Sequence, residues 1–173
     1  DGSFSTQVFS IAVTDVDEFD VGAISDSDAA ADSVAENAAN GTVVGITALG
    51  ADADATTNAI TYTLHNSAGG RFAIDGTTGV VTVAGAIDRE AAASHNIAVR
   101  ATSADGSFST QAFTVIVTDV DEFDVGAISD TDATADSVAE NAANGTVVGI
   151  TAFASDADAT TNAITYSLDN SAG

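Results

Sequence analysis

The feature that most constrains this chain is that it repeats itself. Asp1-Gly2-Ser3-Phe4-Ser5-Thr6 returns as Asp105-Gly106-Ser107-Phe108-Ser109-Thr110, and every later match keeps the same offset of 104 residues. Residues 1–69 lie on residues 105–173 without a gap, and only 11 of the 69 positions differ. The differences are mild, such as Ser10 against Thr114, Ile11 against Val115, Leu49 against Phe153 and Thr63 against Ser167. One period therefore reads as one folding unit, and its length is ordinary for a domain. Copies this alike point to recent duplication, so the chain is expected to be a window on a longer array, cutting through a repeat at one end at least. Expected units are residues 1–18, the C-terminal strand and joint of a preceding repeat; 19–122, one complete repeat; and 123–173, the N-terminal part of the next.

Within a period, apolar residues alternate with small or polar ones, the period-two signature of half-buried strands. The inward positions are Val44, Ile46, Ala48; Ile60, Tyr62, Leu64; Phe72, Ile74; Val81, Val83; Ile97, Val99, Ala101; and Phe113, Val115, Val117. Turn signals lie between them at Asn40-Gly41, Gly69-Gly70, Asp75-Gly76 and Asp105-Gly106. With a short strand near Val34 this makes about seven strands, which predicts an all-β fold: a seven-strand antiparallel Greek-key β-sandwich repeated in tandem. The alanines of residues 88–94 favour a helical turn, too short to stand alone. The eight Phe and two Tyr fall mostly at inward phases and read as core. Asn40-Gly41-Thr42 and its copy at Asn144 fit a glycosylation sequon, but a hairpin turn accounts better for Asn-Gly.

Composition narrows the chemistry. Hydrophobic residues make up 45% of the chain, enough for a packed core. Cysteine is absent, which removes disulfides and thiolate metal sites. Arg71, Arg89 and Arg100 stand against 26 Asp and Glu, for a formal charge of −23. Nucleic acid binding is excluded, because phosphate contacts need Lys and Arg. Membrane insertion is excluded too, since no apolar run approaches the roughly 20 residues that span a bilayer. The only histidines are His65 and His95, and His65 becomes Asp169 in the second copy. A catalytic histidine would not change between near-identical copies, and no nucleophile–base arrangement is present, so the chain is expected not to be an enzyme.

The acids are not scattered. They form short clumps between the apolar strands, and the clumps recur with the period: Glu36-Asn37, Asp52-Ala53-Asp54 with Asn58, Asp88-Arg89-Glu90, and Asp119-Val120-Asp121-Glu122. Composition alone leaves a solvating acidic surface and a metal site equally open. Placement favours the metal. Ca²⁺ takes about six to eight hard oxygens, and no single loop here supplies enough, so a site must be assembled from distant loops at a domain end. Each clump taken singly also has a plainer reading as turn residues, and Glu90 could merely pair with Arg89 or Arg71. Asp26-Ser27-Asp28 and Asp130-Thr131-Asp132 could add a ligand or simply make Asx turns, and the turn is the favoured reading.

In order along the period, the motifs resemble a cadherin repeat. They are Val34-Ala35-Glu36-Asn37 with Gly41-Thr42, Asp52-Ala53-Asp54, and Ile60-Thr61-Tyr62-Thr63-Leu64 set one residue closer to Asn58 than usual. There follow Phe72-Ala73-Ile74-Asp75-Gly76-Thr77-Thr78-Gly79, Ile87-Asp88-Arg89-Glu90 and Asp119-Val120-Asp121-Glu122-Phe123. The resemblance implies Ca²⁺ as cofactor. Its ligands at the second joint would be Glu36, Asp88 and Glu90 from one repeat, Asp119, Asp121 and Glu122 from the linker, and Asp156, Asp158 and Asn162 from the next. The first joint would use Asp15, Asp17 and Glu18 with Asp52, Asp54 and Asn58, its remaining ligands lying outside this sequence. Asp105 matches a further ligand, with two extra residues before it. Glu122 and Phe123 depart from the family's Asp and Asn, so ion number or geometry differs. The implied function is a calcium-stiffened extender repeat of a large secreted or surface-bound bacterial adhesin of the RTX type, giving adhesion and biofilm reach. Its partners would be neighbouring repeats of the same chain, with polysaccharide or another cell surface engaged through other domains. The alternative is a module that itself binds polysaccharide or its own kind.

Overall fold

The computed structural model describes residues 1–54 and 56–169. Eight strands build one sandwich: β1 (Ser25–Asp26), β2 (Ser33–Ala35), β3 (Val43–Leu49), β4 (Thr61–Asn66), β5 (Phe72–Ile74), β6 (Val80–Val83), β7 (Ser94–Thr102) and β8 (Phe108–Thr118). One sheet runs β1-β3-β6-β5 and the other β2-β8-β7-β4. The alternation seen in the sequence is what closes the space between them. Val44, Ile46, Val81 and Val83 point inward from the first sheet and meet Ile97, Val99, Val115 and Val117 from the second, all essentially solvent-free. Burying such an aliphatic side chain contributes about 1.5–3 kcal/mol, so these few positions carry much of the drive to fold.

All seven expected strands are present, and the structure adds the two-residue β1. The pairing is antiparallel with one exception: β2 lies parallel to β8, Val34 opposite Val117. After β1 the chain leaves the first sheet and crosses to the second, and this switch sets the direction of β2. Asn40-Gly41 is consequently not a hairpin turn. It carries the chain from β2 in one sheet to β3 in the other, and Gly41 N–H donates to the Val83 carbonyl at 2.8 Å. Inside β3 the register with β6 shifts between Val43 and Thr47 at Gly45, which adopts φ +77°. A Cβ there would stand 2.2 Å from the Ala31 carbonyl oxygen, so only glycine fits this bulge. The Asx turns are as expected, with Asp28 N–H donating to Asp26 Oδ1 at 2.9 Å. The alanine-rich stretch makes a single helical turn, closed by Ala92 N–H on the Asp88 carbonyl at 3.1 Å.

The flanking copies are less regular than their sequences suggest. In the second copy β9 (Ser129–Asp130) pairs with β10 (Ala152–Phe153), repeating β1 and the end of β3, and no further strand is found there among the described residues. The counterparts there of β2 and of β4, around Val138 and over Ile164, Tyr166 and Leu168, are described and form no strand; residues 170–173 lie outside the described residues. Residues 1–23 carry no strand, although residues 4–14 match β8 closely. The reason is partnership. β8 is held by β7 along nine residue pairs and by β2, and nothing equivalent flanks residues 4–14. The same cause corrects the reading of the aromatics as core. Tyr62 and Phe72 are buried and Phe113 is partly so, while Phe4, Phe9, Phe19, Phe123, Phe153 and Tyr166 are exposed where no opposing sheet covers them, and exposed Phe108 lies under the Arg100 guanidinium. Removing the Ile97 side chain beyond Cβ (Ile97→Ala) should cost about 2–5 kcal/mol, read as a lower midpoint in urea unfolding followed by circular dichroism.

Candidate metal centre

The sandwich positions acids at both of its ends. At the end that meets the second copy, three chain segments converge: Glu36 just past β2, the turn 88–92 between β6 and β7, and the linker following β8. Glu36 is only 3% exposed, and it is held by Arg89 N–H on Oε2 at 2.7 Å and Val120 N–H on Oε1 at 2.8 Å. The next copy contributes its loop 156–162. Its Asp158, 2% exposed, accepts from the linker amides of Glu122 at 3.1 Å and Phe123 at 3.2 Å. In return Glu90 Oε1 accepts from Ala159 N–H at 2.9 Å, and Asn37 donates to Glu122.

Two groups of carboxylate oxygens result, Glu36–Glu90–Asp119 and Glu90–Glu122–Asp158, each with its atoms within 4.8 Å of one another. The other end of the sandwich repeats the plan. Asp54 accepts from Glu18 and Phe19 N–H at 3.1 and 3.4 Å and forms a third group with Asp17 and Asp105. The chain's own cations do not compensate these charges. Arg89 directs its guanidinium to the carbonyls of Ala93 and Val117, and Arg71 directs its own to the carbonyl of Ala68.

Three carboxylates at these ends are half satisfied. Asp52 gives one oxygen to Asp54 N–H, Asp105 one to Ser107 N–H, and Asp119 one to Thr160, while the second oxygen of each is shielded from solvent with no hydrogen-bond partner. Buried polar atoms without partners are rare, and an acceptor-only carboxylate oxygen in an acidic group is suited to a cation.

Crowding appears in the protonation behaviour. Asp17 is pushed up to about 6, first by sharing a proton with Asp54 and then by burial and the charge of Asp105. Asp121 is raised by the same relation to Asp158. Glu90 and Glu122 are raised by burial and by neighbouring acids. Burial pushes Asp158 upward too, but the amide donors of Glu122 and Phe123 outweigh it and hold the group below the ordinary carboxylate range. Asp52 is lowered, chiefly by the neighbouring Ser103 side chain and then by the Asp54 N–H.

The expected residues thus divide into those that converge and those that support. Asp17, Asp54, Glu36, Glu90, Asp119, Glu122 and Asp158 supply the grouped oxygens. Asp121 stands against Asp158 outside these groups. Asp156 and Asp52 accept the N–H two residues on and brace their loops. Asn162 and Asn58 donate to the Asp158 and Asp54 carbonyls at 2.9 and 2.6 Å. Asp88 accepts from Ala91 N–H at 2.9 Å and caps the turn that presents Glu90. Asp15 accepts the Thr56 hydroxyl, and Glu18 enters through its amide. Asp105 is the residue that sequence spacing underweighted. Its Asp-Gly reads as a simple turn, and only the fold brings the β7–β8 connection beside the Asp52-Ala53-Asp54 loop.

Comparison with known proteins agrees with this architecture. Residues 31–118 match the Cadherin domain family. The chain belongs to the cadherin family. Protein dachsous of Drosophila melanogaster is 45% identical over 87 residues, which make up 49% of this chain. This chain covers only 2% of that protein's length. The crystal structure of mouse cadherin-23 EC22-24 superposes with a TM-score of 0.63 at 25% identity, covering 84% of this chain and 46% of that one. Protocadherin gamma B2 extracellular cadherin domains 3-6 superpose at 0.67 with 21% identity, over 84% and 37%, a likeness of fold. Cadherin domains are extracellular adhesion modules that in general bind Ca²⁺, and this chain carries one such domain. Among the described residues no helix is long and apolar enough to cross a membrane.

The raised carboxyls at the two ends of the sandwich set a pH dependence. Asp17 stands at about 6 when folded against an ordinary 3.8, so the folded state binds its proton more tightly. Cation-free stability should therefore rise as pH falls through 6, and should level off near 4, where the unfolded chain is protonated as well. In EDTA, melting by circular dichroism should be higher at pH 5 than at pH 7. Replacing Asp17 and Asp121 by Asn should shrink the difference, and equal melting at the two pH values would contradict the assignment.

Proposed function

We propose that this chain is a calcium-stiffened extender repeat, in which Ca²⁺ joins successive sandwiches end to end. The observation carrying this reading is the origin of the grouped oxygens. Glu36 and Glu90 belong to one sandwich, Asp119 and Glu122 to the linker, and Asp158 to the next copy. A cation there would hold all three segments at once, replacing repulsion by attraction. Residues 1–18, 19–122 and 123–173 are then the end of one repeat, a whole repeat and the start of the next. Asp88, Asp121, Asp156 and Asn162 complete the second joint; Asp15, Glu18, Asp52, Asn58 and Asp105 serve the first beside Asp17 and Asp54.

The parent protein is, in this reading, a large secreted or surface-bound bacterial adhesin of the RTX type, whose repeats provide reach in adhesion and biofilms. Near-identical neighbouring copies, the absence of cysteine and the charge of −23 support it. Such a chain is less stable and looser at its joints where calcium is scarce, and more stably folded where it is plentiful, because binding to the folded state alone stabilises it by mass action. Reach and stiffness follow from the joints, and recognition of polysaccharide or another surface falls to other domains.

Thermal melting and small-angle scattering in EDTA and in calcium test the proposal. Calcium at about 100 times its dissociation constant should add about 2.7 kcal/mol of stability and lengthen the maximum dimension. Glu90→Ala, which removes an oxygen from both groups of the second joint, should abolish most of the lengthening and most of the stability gained on adding calcium. Identical profiles with and without calcium would overturn the reading.

A further inference from the structure

Resting on the calcium reading above, a second kind of residue emerges at each joint. Thr160, in the loop of the following copy, donates both its hydroxyl and its N–H to Asp119 Oδ2, the latter at 3.2 Å. Asp119 is the first residue past β8, so this contact crosses from one repeat to the next. The other oxygen, Asp119 Oδ1, is shielded from solvent and has no hydrogen-bond partner, and Asp119 is the member of the Glu36–Glu90–Asp119 group contributed by the linker. At the first joint Thr56 repeats the arrangement, its hydroxyl donating to Asp15 Oδ2 at 2.6 Å. No counterparts of Glu36 and Glu90 precede Asp15 in this sequence. The threonine–aspartate contact therefore forms without them, and is a property of the linker and the loop above it.

We propose that Thr160, and Thr56 at the equivalent place, are positioning residues that orient the linker aspartate for the ion. A hydroxyl donating to an anionic oxygen makes a strong charge-assisted hydrogen bond. By occupying Oδ2 it prevents Asp119 from chelating through both oxygens and turns Oδ1 toward Glu36 and Glu90. It also ties the linker to the next sandwich before any cation arrives, so less freedom remains to be lost on binding. Groups that orient ligands in this way typically change metal affinity by about 10–100-fold.

The test is calorimetric titration of the whole chain with Ca²⁺, comparing the unsubstituted protein with Thr160→Val and Thr160→Ser. Valine keeps the shape and loses the donor, and should weaken uptake at the second joint by about tenfold or more. Serine keeps the donor and should restore it. The main melting transition in EDTA, that of the β1–β8 sandwich, which Thr160 reaches only through the linker residue Asp119, should be the same for all three. Unchanged affinity in Thr160→Val, or failure of serine to restore it, overturns the positioning role and leaves the calcium reading standing. A drop in EDTA melting that matches the loss of affinity also overturns it, by making the effect structural. No uptake by the unsubstituted chain overturns both.

Discussion

Carboxylates brought together with too few donors are the constraint on which the rest of this molecule turns. Asp158 shows it in one residue. It is nearly solvent-free, which disfavours its charge, yet two linker amides hold it ionised. Its neighbours Asp121, Glu122 and Glu90 are then driven toward protonation by the same crowding. The arginines do not relieve this crowding: Arg89 and Arg71 direct their guanidinium groups to backbone carbonyls, and Arg100 lies over Phe108.

The sandwich makes this possible by being polar end to end. One end presents Glu36 and the capped turn bearing Glu90; the opposite end presents the Asp52-Ala53-Asp54 loop and Asp105. Acidic groups therefore stand at both ends of the sandwich. The parallel β2–β8 pairing matters here, because it sets Glu36 beside the start of the linker, where its carboxylate accepts from Val120 N–H. The core that fixes these ends is small and aliphatic, with Tyr62 as its one polar-tipped member, its hydroxyl accepting from Gly50 N–H at 3.0 Å. The next copy repeats this bond between Ala154 and Tyr166.

Much of the fold was legible from alternation alone. The inward residues of β3, β6, β7 and β8 are those the period-two pattern selects, because a strand between two sheets exposes one face to the core and physics allows few other readings. The site was legible only through resemblance and recurrence. Asp-x-Asp occurs four ways here, and local spacing does not distinguish Asp26-Ser27-Asp28, which turns the chain and accepts the Thr47 N–H, from Asp52-Ala53-Asp54, which stands in an acidic group at one end of the sandwich. Asp105 was signalled only by resemblance, with two extra residues before it, and Thr160 carried no signal of its own. Their neighbours across the joint lie far away in the chain, so only the folded arrangement reveals what they touch.

The sequence by itself determined the period, the all-β class, the identity of the aliphatic core and the positions of the acids along the chain, since each of these depends on composition and local alternation. Tertiary structure decided which acids meet and which strands exist. Residues 4–14 and 108–118 are nearly the same sequence, yet one is a long strand and the other is none, because a strand's backbone groups are satisfied by its neighbours and not by its own residues. The same holds for the carboxylates. Asp119 becomes part of a joint only when Glu36, Glu90 and Thr160 are brought around it by a sandwich and by the copy that follows.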